Sequence, residues 1–290
     1  MPVSPPALQV GRAPPPRSPV SRYRTATQIA FAGRSHGVLG HDHKPPSENL
    51  GRGRDSKWRV IQRSKLVNAR ADNISGSIDN FSVLTGDGES LGARRLILSY
   101  GVVDKMPDVP GFAESWGTSI IPCPYCDGFE VAGQHWGLVW SGPQSMNQVR
   151  LFHDWTDRLT VFADGHDIAP DIRADLAGRK VPVVDGRITG IARHGDHNAT
   201  IKLDTGPDVA VDILFAHPRS KPSASLHDSL GLDTVNTPTG IAIKTDERRE
   251  TSIPGIYAAG DLANPGIPSV TTATWQGAMA GIFAQQSMLV

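Results

Sequence analysis

The chain has 290 residues, with 29 lysines and arginines against 29 aspartates and glutamates, and 39% of its residues are hydrophobic. This length supports two domains, and the balanced charge lacks the basic excess typical of nucleic-acid binding. No apolar run reaches the roughly 20 residues of a membrane span. Only two cysteines are present, which excludes a disulfide-rich secreted scaffold and favours a reducing cytoplasmic location.

The first 27 residues differ in composition from the rest of the chain. They are rich in Pro, Ser and Arg, and no Asp or Glu occurs before Asp42. Such a segment cannot bury a core, so we interpret residues 1–27 as disordered or as an aberrant start. A targeting peptide is the alternative, although the prolines oppose the amphipathic helix that it needs.

From residue 28 onward the pattern is that of an α/β protein. Short apolar runs bounded by turn residues predict strands at 60–69, 82–85, 95–100, 136–140, 158–163, 181–191, 198–203, 212–216 and 255–259. Helices are predicted at 144–155 and 272–289, and turns at 72–73 and 86–88. The order strand, turn, helix, strand over 136–163 is typical of a βαβ unit.

Both cysteines lie in the segment Cys123-Pro-Tyr-Cys126-Asp127. Two thiols separated by two residues can close and reopen a small disulfide ring, which is the spacing of a redox pair. Asp127 follows the second thiol directly and could move a proton during exchange. The alternatives are half of a zinc site, completed by His or by a second chain, and two inert thiols.

A second motif lies near the C-terminus, where a predicted strand ends in Gly260-Asp261 and is followed by a loop and a helix. A carboxylate at this place can accept a hydrogen bond from a ribityl or ribose hydroxyl. The helix start near Ser269 and Val270 offers backbone N–H groups and the positive end of the helix dipole. The alternative is an ordinary strand–loop–helix corner in which Asp or Ser caps the helix.

These motifs together resemble the low-molecular-weight thioredoxin reductases and their relatives, which include dithiol oxidases. The resemblance covers about residue 30 to the C-terminus and rests most on Cys-Pro-Tyr-Cys-Asp-Gly-Phe-Glu at 123–130 and Ile-Tyr-Ala-Ala-Gly-Asp at 256–261. Further matching segments are the loop Ser-His-Gly-Val-Leu-Gly-His-Asp at 35–42, the strand end Leu-Ser-Tyr-Gly at 98–101 and the connector Val-Pro-Gly-Phe at 109–112.

The resemblance implies two Rossmann-like, three-layer α/β domains. The FAD-binding domain would comprise 28–112 plus 230–290. The NAD(P)-like domain, 113–229, would carry the Cys pair at its entrance. FAD is the cofactor that the family uses, and the expected partners are a thioredoxin-like protein or a small dithiol or disulfide. The family's usual assembly is a homodimer.

The resemblance also implies roles for individual residues. Cys126 would face the flavin, Cys123 would exchange with the substrate, and Asp127 would be the acid/base group. The cofactor-binding residues are expected to be His41, Asp42, Gly101, Gly142, Gly260, Asp261, Ser269 and Val270. No metal is expected, and the alternative for the loop with His36, His41 and His43 is a zinc site.

The chain departs from the family at its N-terminus. The family opens with a strand and a G-x-G-x-x-G turn that holds the FAD pyrophosphate on a helix N-terminus. Nothing in residues 1–40 provides this turn, since the prolines of Gly11-Arg-Ala-Pro-Pro-Pro block a helix and remove N–H donors. The first domain is therefore predicted to be incomplete at its N-terminus, which argues against FAD binding by this chain as written.

The second glycine-rich turn is also altered. Trp140 stands where the family has its first glycine, and Pro143 follows Gly142 and removes an N–H donor. The chain has Asp164 where a basic cluster would hold a 2′-phosphate, and an aspartate there would rather accept from ribose hydroxyls. The pattern argues against NADPH as the reductant. It leaves open a βαβ unit kept for packing alone.

The sequence thus predicts an FAD-dependent thiol–disulfide oxidoreductase of thioredoxin-reductase-like type that acts through Cys123 and Cys126. One alternative lies within the same class: an oxygen-dependent dithiol oxidase rather than an NADPH-dependent reductase. The other alternative is a degenerate, non-catalytic remnant that binds no flavin.

Overall fold

The computed structural model describes residues 8–11, 20–22, 64–264, 266 and 268–289. Two compact units divide the chain. The split unit consists of the described residues up to Lys105 together with those from Arg219 onward, and the inserted unit is Met106–Pro218. Both units combine helices with sheets, as the predicted α/β class requires.

The strands and helices are numbered in chain order. The strands are β1 (Leu8–Gly11), β2 (Val20–Arg22), β3 (Ser64–Leu66), β4 (Ala71–Ser77), β5 (Asn80–Thr85), β6 (Ser90–Ala93), β7 (Arg95–Leu98), β8 (Val102–Asp104), β9 (Ile120–Ile121), β10 (Trp136–Val139), β11 (Leu159–Phe162), β12 (Val183–Val184), β13 (Ile188–Arg193), β14 (Ala199–Leu203), β15 (Val209–Val211), β16 (Ile213–Phe215), β17 (Ser220–Pro222), β18 (Thr234–Thr237), β19 (Gly240–Ile243) and β20 (Ile256–Ala258). The helices are α1 (Phe112–Ser115), α2 (Pro124–Asp127), α3 (Ser145–Phe152), α4 (Pro170–Gly178), α5 (Leu226–Leu230) and α6 (Val270–Gln286), and a 3-10 turn spans Gly260–Leu262.

The inserted unit is built on a five-stranded sheet with the order β12-β11-β10-β16-β9, in which every pair is parallel. Because α3 connects β10 to the parallel β11, the predicted βαβ unit is confirmed. Strand β11 is buried along its whole length, as expected for a parallel sheet covered on both faces. The rings of Trp136, Phe152 and Phe215 pack together between this sheet and α3, with centroids 4.4 to 5.2 Å apart.

A three-stranded antiparallel sheet, β13-β14-β15, completes the inserted unit. The prediction of one strand over 181–191 is wrong, because β12 and β13 are separate strands of different sheets. The chain turns between them at Gly186, whose φ of 104° is readily adopted only by glycine. The β-branched residues over 181–191 therefore predicted one strand although they belong to two strands of different sheets.

The split unit contains a five-stranded sheet with the order β20-β7-β1-β2-β3. Strand β20 is parallel to β7, but β1 runs antiparallel to β7, with Leu8 opposite Leu98 and Gly11 opposite Arg95. Strand β1 therefore begins at the edge where β7 and β20 end, and it finishes at the opposite edge. A dinucleotide-binding first strand would instead run parallel to its neighbours and finish beside them.

Two smaller sheets belong to the same unit: the antiparallel β4-β5-β6, and the sheet β18-β19-β17-β8. The turn predicted at 72–73 is wrong, since these residues lie within β4, where the pairing shifts between Ala71 and Asn73. Ala71 and Ile74 are both buried, so core packing overrides the turn preference of the Asp-Asn pair. The turn at 86–88 is confirmed.

The C-terminal helix α6 begins at Val270, two residues before its predicted start. Ser269 is the N-cap, and its Oγ accepts a hydrogen bond from the Thr272 N–H at 3.0 Å. The helix packs against β20 and β7 through small residues, including the buried Ala280 and Ala284. None of the helices in the described part of the chain combines the length and apolar character that a bilayer span requires.

Candidate active site

The two cysteines lie directly after β9, the edge strand of the parallel sheet in the inserted unit. Phe215 of β16 lies opposite Ile121 of β9, and the N–H of Ala216 donates to the Ile121 carbonyl at 3.3 Å. Pro122 then leads to Cys123, which is the N-cap of α2. The cysteines thus occupy the carboxyl edge of the sheet, where α/β folds place their binding sites.

The backbone around the cysteines is a single tight turn of helix. Cys123 is extended, with φ −140° and ψ 118°, as expected of a residue that precedes a proline. Its carbonyl accepts hydrogen bonds from the N–H groups of Cys126 and Asp127, both at 3.3 Å. A Cβ atom at Gly128 would lie 2.3 Å from the Pro124 carbonyl oxygen, so the close approach of the turn requires glycine there.

The two thiols differ in ionisation. Cys123 is half-buried and Cys126 is exposed, and both are free thiols. The hydrogen bond from Cys126 lowers the pKa of Cys123 to about 7, and the N–H groups of Cys126 and Tyr125 contribute further. The same hydrogen bond, together with desolvation and the charge of Asp127, raises the pKa of Cys126. At neutral pH, Cys123 is therefore the more ionised thiol of the pair and Cys126 is its proton-bearing partner.

Two aromatic side chains beside the cysteines face solvent. Tyr125 is 69% exposed and Phe129 is 75% exposed. They flank Cys126 and Asp127 in the sequence.

A second cluster of predicted site residues lies in the split unit. Because β20 is parallel to β7, with Ala258 opposite Leu98, the segments that follow both strands emerge at one edge of the sheet. Gly101 lies after β7, and Gly260 and Asp261 lie after β20. Gly260 adopts a φ of 76°, and its N–H donates to the Oε1 of the buried Gln276 at 2.9 Å.

The Asp261 carboxyl is poorly compensated. Its burial, and then the negative charge of Asp104, raise its pKa to about 6. Among the described residues, no hydrogen bond to this carboxyl is formed. A hydrogen-bond donor placed here would satisfy a group whose charged form is otherwise costly.

The comparisons with known proteins agree with this geometry. A model of the pyridine nucleotide-disulphide oxidoreductase family matches residues 47–277. The chain belongs to this family. It is 28% identical to the thioredoxin reductase tcpT of Claviceps purpurea, over 92% of this chain and 84% of that protein. It is 31% identical to the thioredoxin reductase sirT of Leptosphaeria maculans, over 74% of this chain and 70% of that protein.

A solved structure extends the likeness to three dimensions. An oxidoreductase from Agrobacterium tumefaciens is 34% identical and superimposes with a TM-score of 0.84, covering 91% of this chain and 88% of that one. The resemblance to the thioredoxin-reductase-like oxidoreductases and the Rossmann-like α/β fold are thereby confirmed. The family is FAD-dependent and uses NADPH.

The described residues fit one part of FAD and not another. The buried Asp261 carboxylate would be stabilised by a hydrogen-bond donor, and ribityl and ribose hydroxyls can donate such a bond. Strand β1 offers the pyrophosphate no comparable site within the described ranges, because it finishes at the sheet edge opposite Gly260. His41 and Asp42 lie outside the described residues, as do His36 and His43. Within the described ranges, no group of His, Cys, Asp and Glu could hold a metal ion.

The second nucleotide turn, around Gly142, is closed by its own side chains. Ser145 Oγ accepts the N–H of Ser141 at 3.1 Å, and the Gln144 amide donates to the Ser141 carbonyl at 2.8 Å. The Gln144 side chain also covers Gly142, where a Cβ atom would come within 2.7 Å of it. A pyrophosphate would have to displace these contacts.

Asp164 lies after β11 and makes a contact within the inserted unit. Its carboxylate accepts the N–H of Ile188 at 2.8 Å, so it fixes the start of β13. No signal in the sequence indicated Asp104 or Gln276. Asp104, in β8, acts on Asp261 through its charge, and Gln276, in α6, accepts the N–H of Gly260.

Proposed function

We propose that this chain is a thiol–disulfide oxidoreductase that works through Cys123 and Cys126, with FAD as its electron partner. The observation that carries the proposal is the placement of two free thiols in one helical turn, α2, at the carboxyl edge of the parallel sheet. The pKa of Cys123 is lowered and that of Cys126 is raised, which agrees with this arrangement. A redox pair needs one thiolate that attacks and a second thiol that resolves.

Reduction of a disulfide substrate proceeds in two exchange steps. The Cys123 thiolate attacks one substrate sulfur, which forms a mixed disulfide and releases the other sulfur as a thiolate that takes up a proton. Cys126 then loses its proton to Asp127 and attacks the Cys123 sulfur. The second substrate thiol leaves, the substrate has gained two electrons, and the Cys pair is a disulfide.

FAD, when bound, would exchange the electron pair with the cysteine disulfide. Asp261 and the backbone at Gly260 are proposed to hold its sugar hydroxyls, with Gly101 beside them. The N–H groups at Ser269 and Val270 are proposed to face an acceptor on the cofactor. His41, Asp42 and Gly142 remain proposals from the family pattern.

A second candidate runs the reaction in the opposite direction, as an oxygen-dependent dithiol oxidase. The contacts that close the turn at Ser141, Gln144 and Ser145 favour it, because they use groups that NADPH would need. A substrate dithiolate would attack the Cys123–Cys126 disulfide, leave as a disulfide, and pass its electron pair through FAD to oxygen. The test is consumption of NADPH against consumption of oxygen with a dithiol, each with added FAD.

The substrate is proposed to be a thioredoxin-like protein or a small molecule with two thiols or a disulfide. The exposed rings of Tyr125 and Phe129 support a partner with an apolar contact surface. By the family pattern, the chain is also proposed to form a homodimer.

The exchange chemistry can be tested without any cofactor. The reduced chain is mixed with dithiobis-nitrobenzoate, and release of the coloured thiol is followed. The wild type should release about two equivalents, since the chain has two cysteines. Cys126→Ser should release about one equivalent of the coloured thiol and keep the other half of the reagent bound to Cys123, because nothing resolves the mixed disulfide. Cys123→Ser should release the coloured thiol more slowly, because the attacking thiolate is gone.

The same experiment separates the enzyme from a non-catalytic remnant. If Cys123→Ser and Cys126→Ser react at equal rates, the two thiols are not differentiated and the proposal is refuted. A mixed disulfide that persists in the wild type would also refute it.

A further inference from the structure

A buried amide lies on the inner face of the C-terminal helix. Gln276 is 1% exposed, and it shares its side of α6 with Ala280 and Ala284, the other buried residues of this helix. Removing an amide from water is costly unless a hydrogen bond compensates it. Its place beside alanines, which pack the helix against β20 and β7, therefore points to a specific partner.

That partner is the N–H of Gly260, which donates to the Oε1 of Gln276 at 2.9 Å. The preceding N–H, of Ala259, still bonds to the sheet, at 3.0 Å from the Leu98 carbonyl. The Gly260 carbonyl already belongs to the 3-10 turn, since it accepts the N–H of Ala263 at 2.9 Å. The Gly260 N–H thus lies where the chain leaves the sheet, and Gln276 supplies its acceptor. Because a backbone N–H can only donate, the oxygen of the amide must be the atom that faces it.

This bond fixes α6 along its axis relative to the turn that begins at Gly260. A Cβ atom at Gly260 would lie 3.7 Å from the Cβ of Ala273, so the turn and the helix approach closely between small residues. Apolar contact has no directional preference, and it would let the helix slide past the turn. A hydrogen bond does not allow this, since a slide by the rise of one residue, about 1.5 Å, would break it.

The axial position of α6 matters because the residues proposed to hold FAD lie on both segments. Asp261 directly follows Gly260, whereas Ser269 is the N-cap of α6. Ser269 precedes Gln276 by seven residues, about two helical turns, so the two residues lie on one side of the helix. A ligand that contacts Asp261 and the start of α6 together requires a fixed spacing between them. If the protein fixes this spacing beforehand, binding does not have to supply the cost of ordering it.

We propose that Gln276 is a positioning residue for the cofactor, which fixes the spacing between Asp261 and the start of α6 through the Gly260 N–H. The inference rests on the proposed role of Asp261 in holding a sugar hydroxyl of FAD. All of these residues belong to the split unit. Because Gln276 acts through other groups, its removal weakens FAD binding only as far as those groups contribute to it.

The test is a double-mutant cycle on FAD affinity, measured with the full chain by the quenching of flavin fluorescence. Gln276→Met keeps the length of the side chain and removes the acceptor. It should weaken FAD binding about three- to tenfold, which is the size expected for loss of one hydrogen bond. In an Asp261→Ala background the same change should weaken binding less than about twofold, because the carboxylate that Gln276 positions is gone. Gln285→Met, the same substitution on the exposed face of α6, is the matched control and should leave the affinity unchanged.

The outcomes separate this inference from the proposed function. If the wild type binds FAD and Gln276→Met binds it equally well, the role of Gln276 is overturned and the cofactor proposal stands. If Gln276→Met weakens binding by the same factor with and without the Asp261 carboxylate, its effect on the fold is a general one, and the positioning role is again overturned. A wild-type chain that binds no FAD would overturn the proposed cofactor and this inference with it. If Gln276→Met fails to fold, as judged by circular dichroism, Gln276→Asn, which withdraws the acceptor by one methylene, replaces it in the cycle with the same expectations.

Discussion

The hydrogen bond between the two thiols is the largest influence on the pKa of Cys123, and it can be removed without altering the backbone. Cys126→Ala deletes the donor, whereas Cys126→Ser keeps a hydroxyl donor in the same position. We expect the pKa of Cys123 to stay near 7 in Cys126→Ser. In Cys126→Ala it should rise toward its ordinary value of 9.0.

The size of the effect follows from the charge of the acceptor. Hydrogen bonds to charged groups contribute about 1.5–3 kcal/mol, and one pKa unit corresponds to about 1.4 kcal/mol, so the two variants should differ by about one to two units. A rise of about 1.3 units lowers the thiolate fraction at pH 7 roughly tenfold. Because a more basic thiolate is also more nucleophilic, the rate at that pH should fall only about threefold.

The midpoint of the pH profile is therefore a sharper measure than a rate at one pH. Each variant has a single cysteine, so alkylation by iodoacetamide between about pH 5 and 10 can be followed by mass spectrometry without ambiguity. Cys123→Ser, which leaves Cys126 alone, gives the profile of an exposed thiol without its partner. Equal midpoints in Cys126→Ser and Cys126→Ala would refute the reasoning, since the donor would then contribute nothing.

Two further predictions concern stability. Gly111 has a φ of 81°, and a Cβ atom there would lie 1.9 Å from the Ile191 carbonyl oxygen, whereas Gly133, at φ 74°, has open space. Because the backbone is left-handed at both positions, each Gly→Ala change should lower the free energy of unfolding by about 1–2 kcal/mol. The clash with the Ile191 carbonyl should lower it by about a further 1–3 kcal/mol in Gly111→Ala alone. Equal free energies of unfolding in urea for the two variants would contradict this. For Asp261, the folded pKa of about 6 exceeds the ordinary value of 3.8, so the folded state binds the proton more tightly and stability falls as pH rises from about 4 to 6. Asp261→Asn should thus raise the free energy of unfolding of the FAD-free protein by about 1–3 kcal/mol at pH 7 and leave it unchanged below about pH 4. The same substitution should weaken FAD binding. An unchanged free energy of unfolding at pH 7 would show that the carboxyl has another partner.

Much of the fold could be predicted from the sequence, because the decisive signals are local. The βαβ unit over 136–163 follows from an apolar strand, a glycine turn and a helix in immediate succession. The strand that precedes Gly260, and the C-terminal helix after it, were predicted in the same way. Predictions failed at 72–73 and at 181–191, where core packing or a change of sheet overrode local preference.

The sequence by itself determined the family and predicted the redox pair, since the spacing of Cys123 and Cys126 and the segment Gly260-Asp261 are fixed by neighbours along the chain. Only the folded structure decided the direction of the two thiol pKa values, because a pKa depends on the donors and charges that the turn of α2 brings within a few ångströms. The antiparallel course of β1 was likewise decided by the tertiary structure, since its pairing with β7 joins segments that no spacing in the sequence relates.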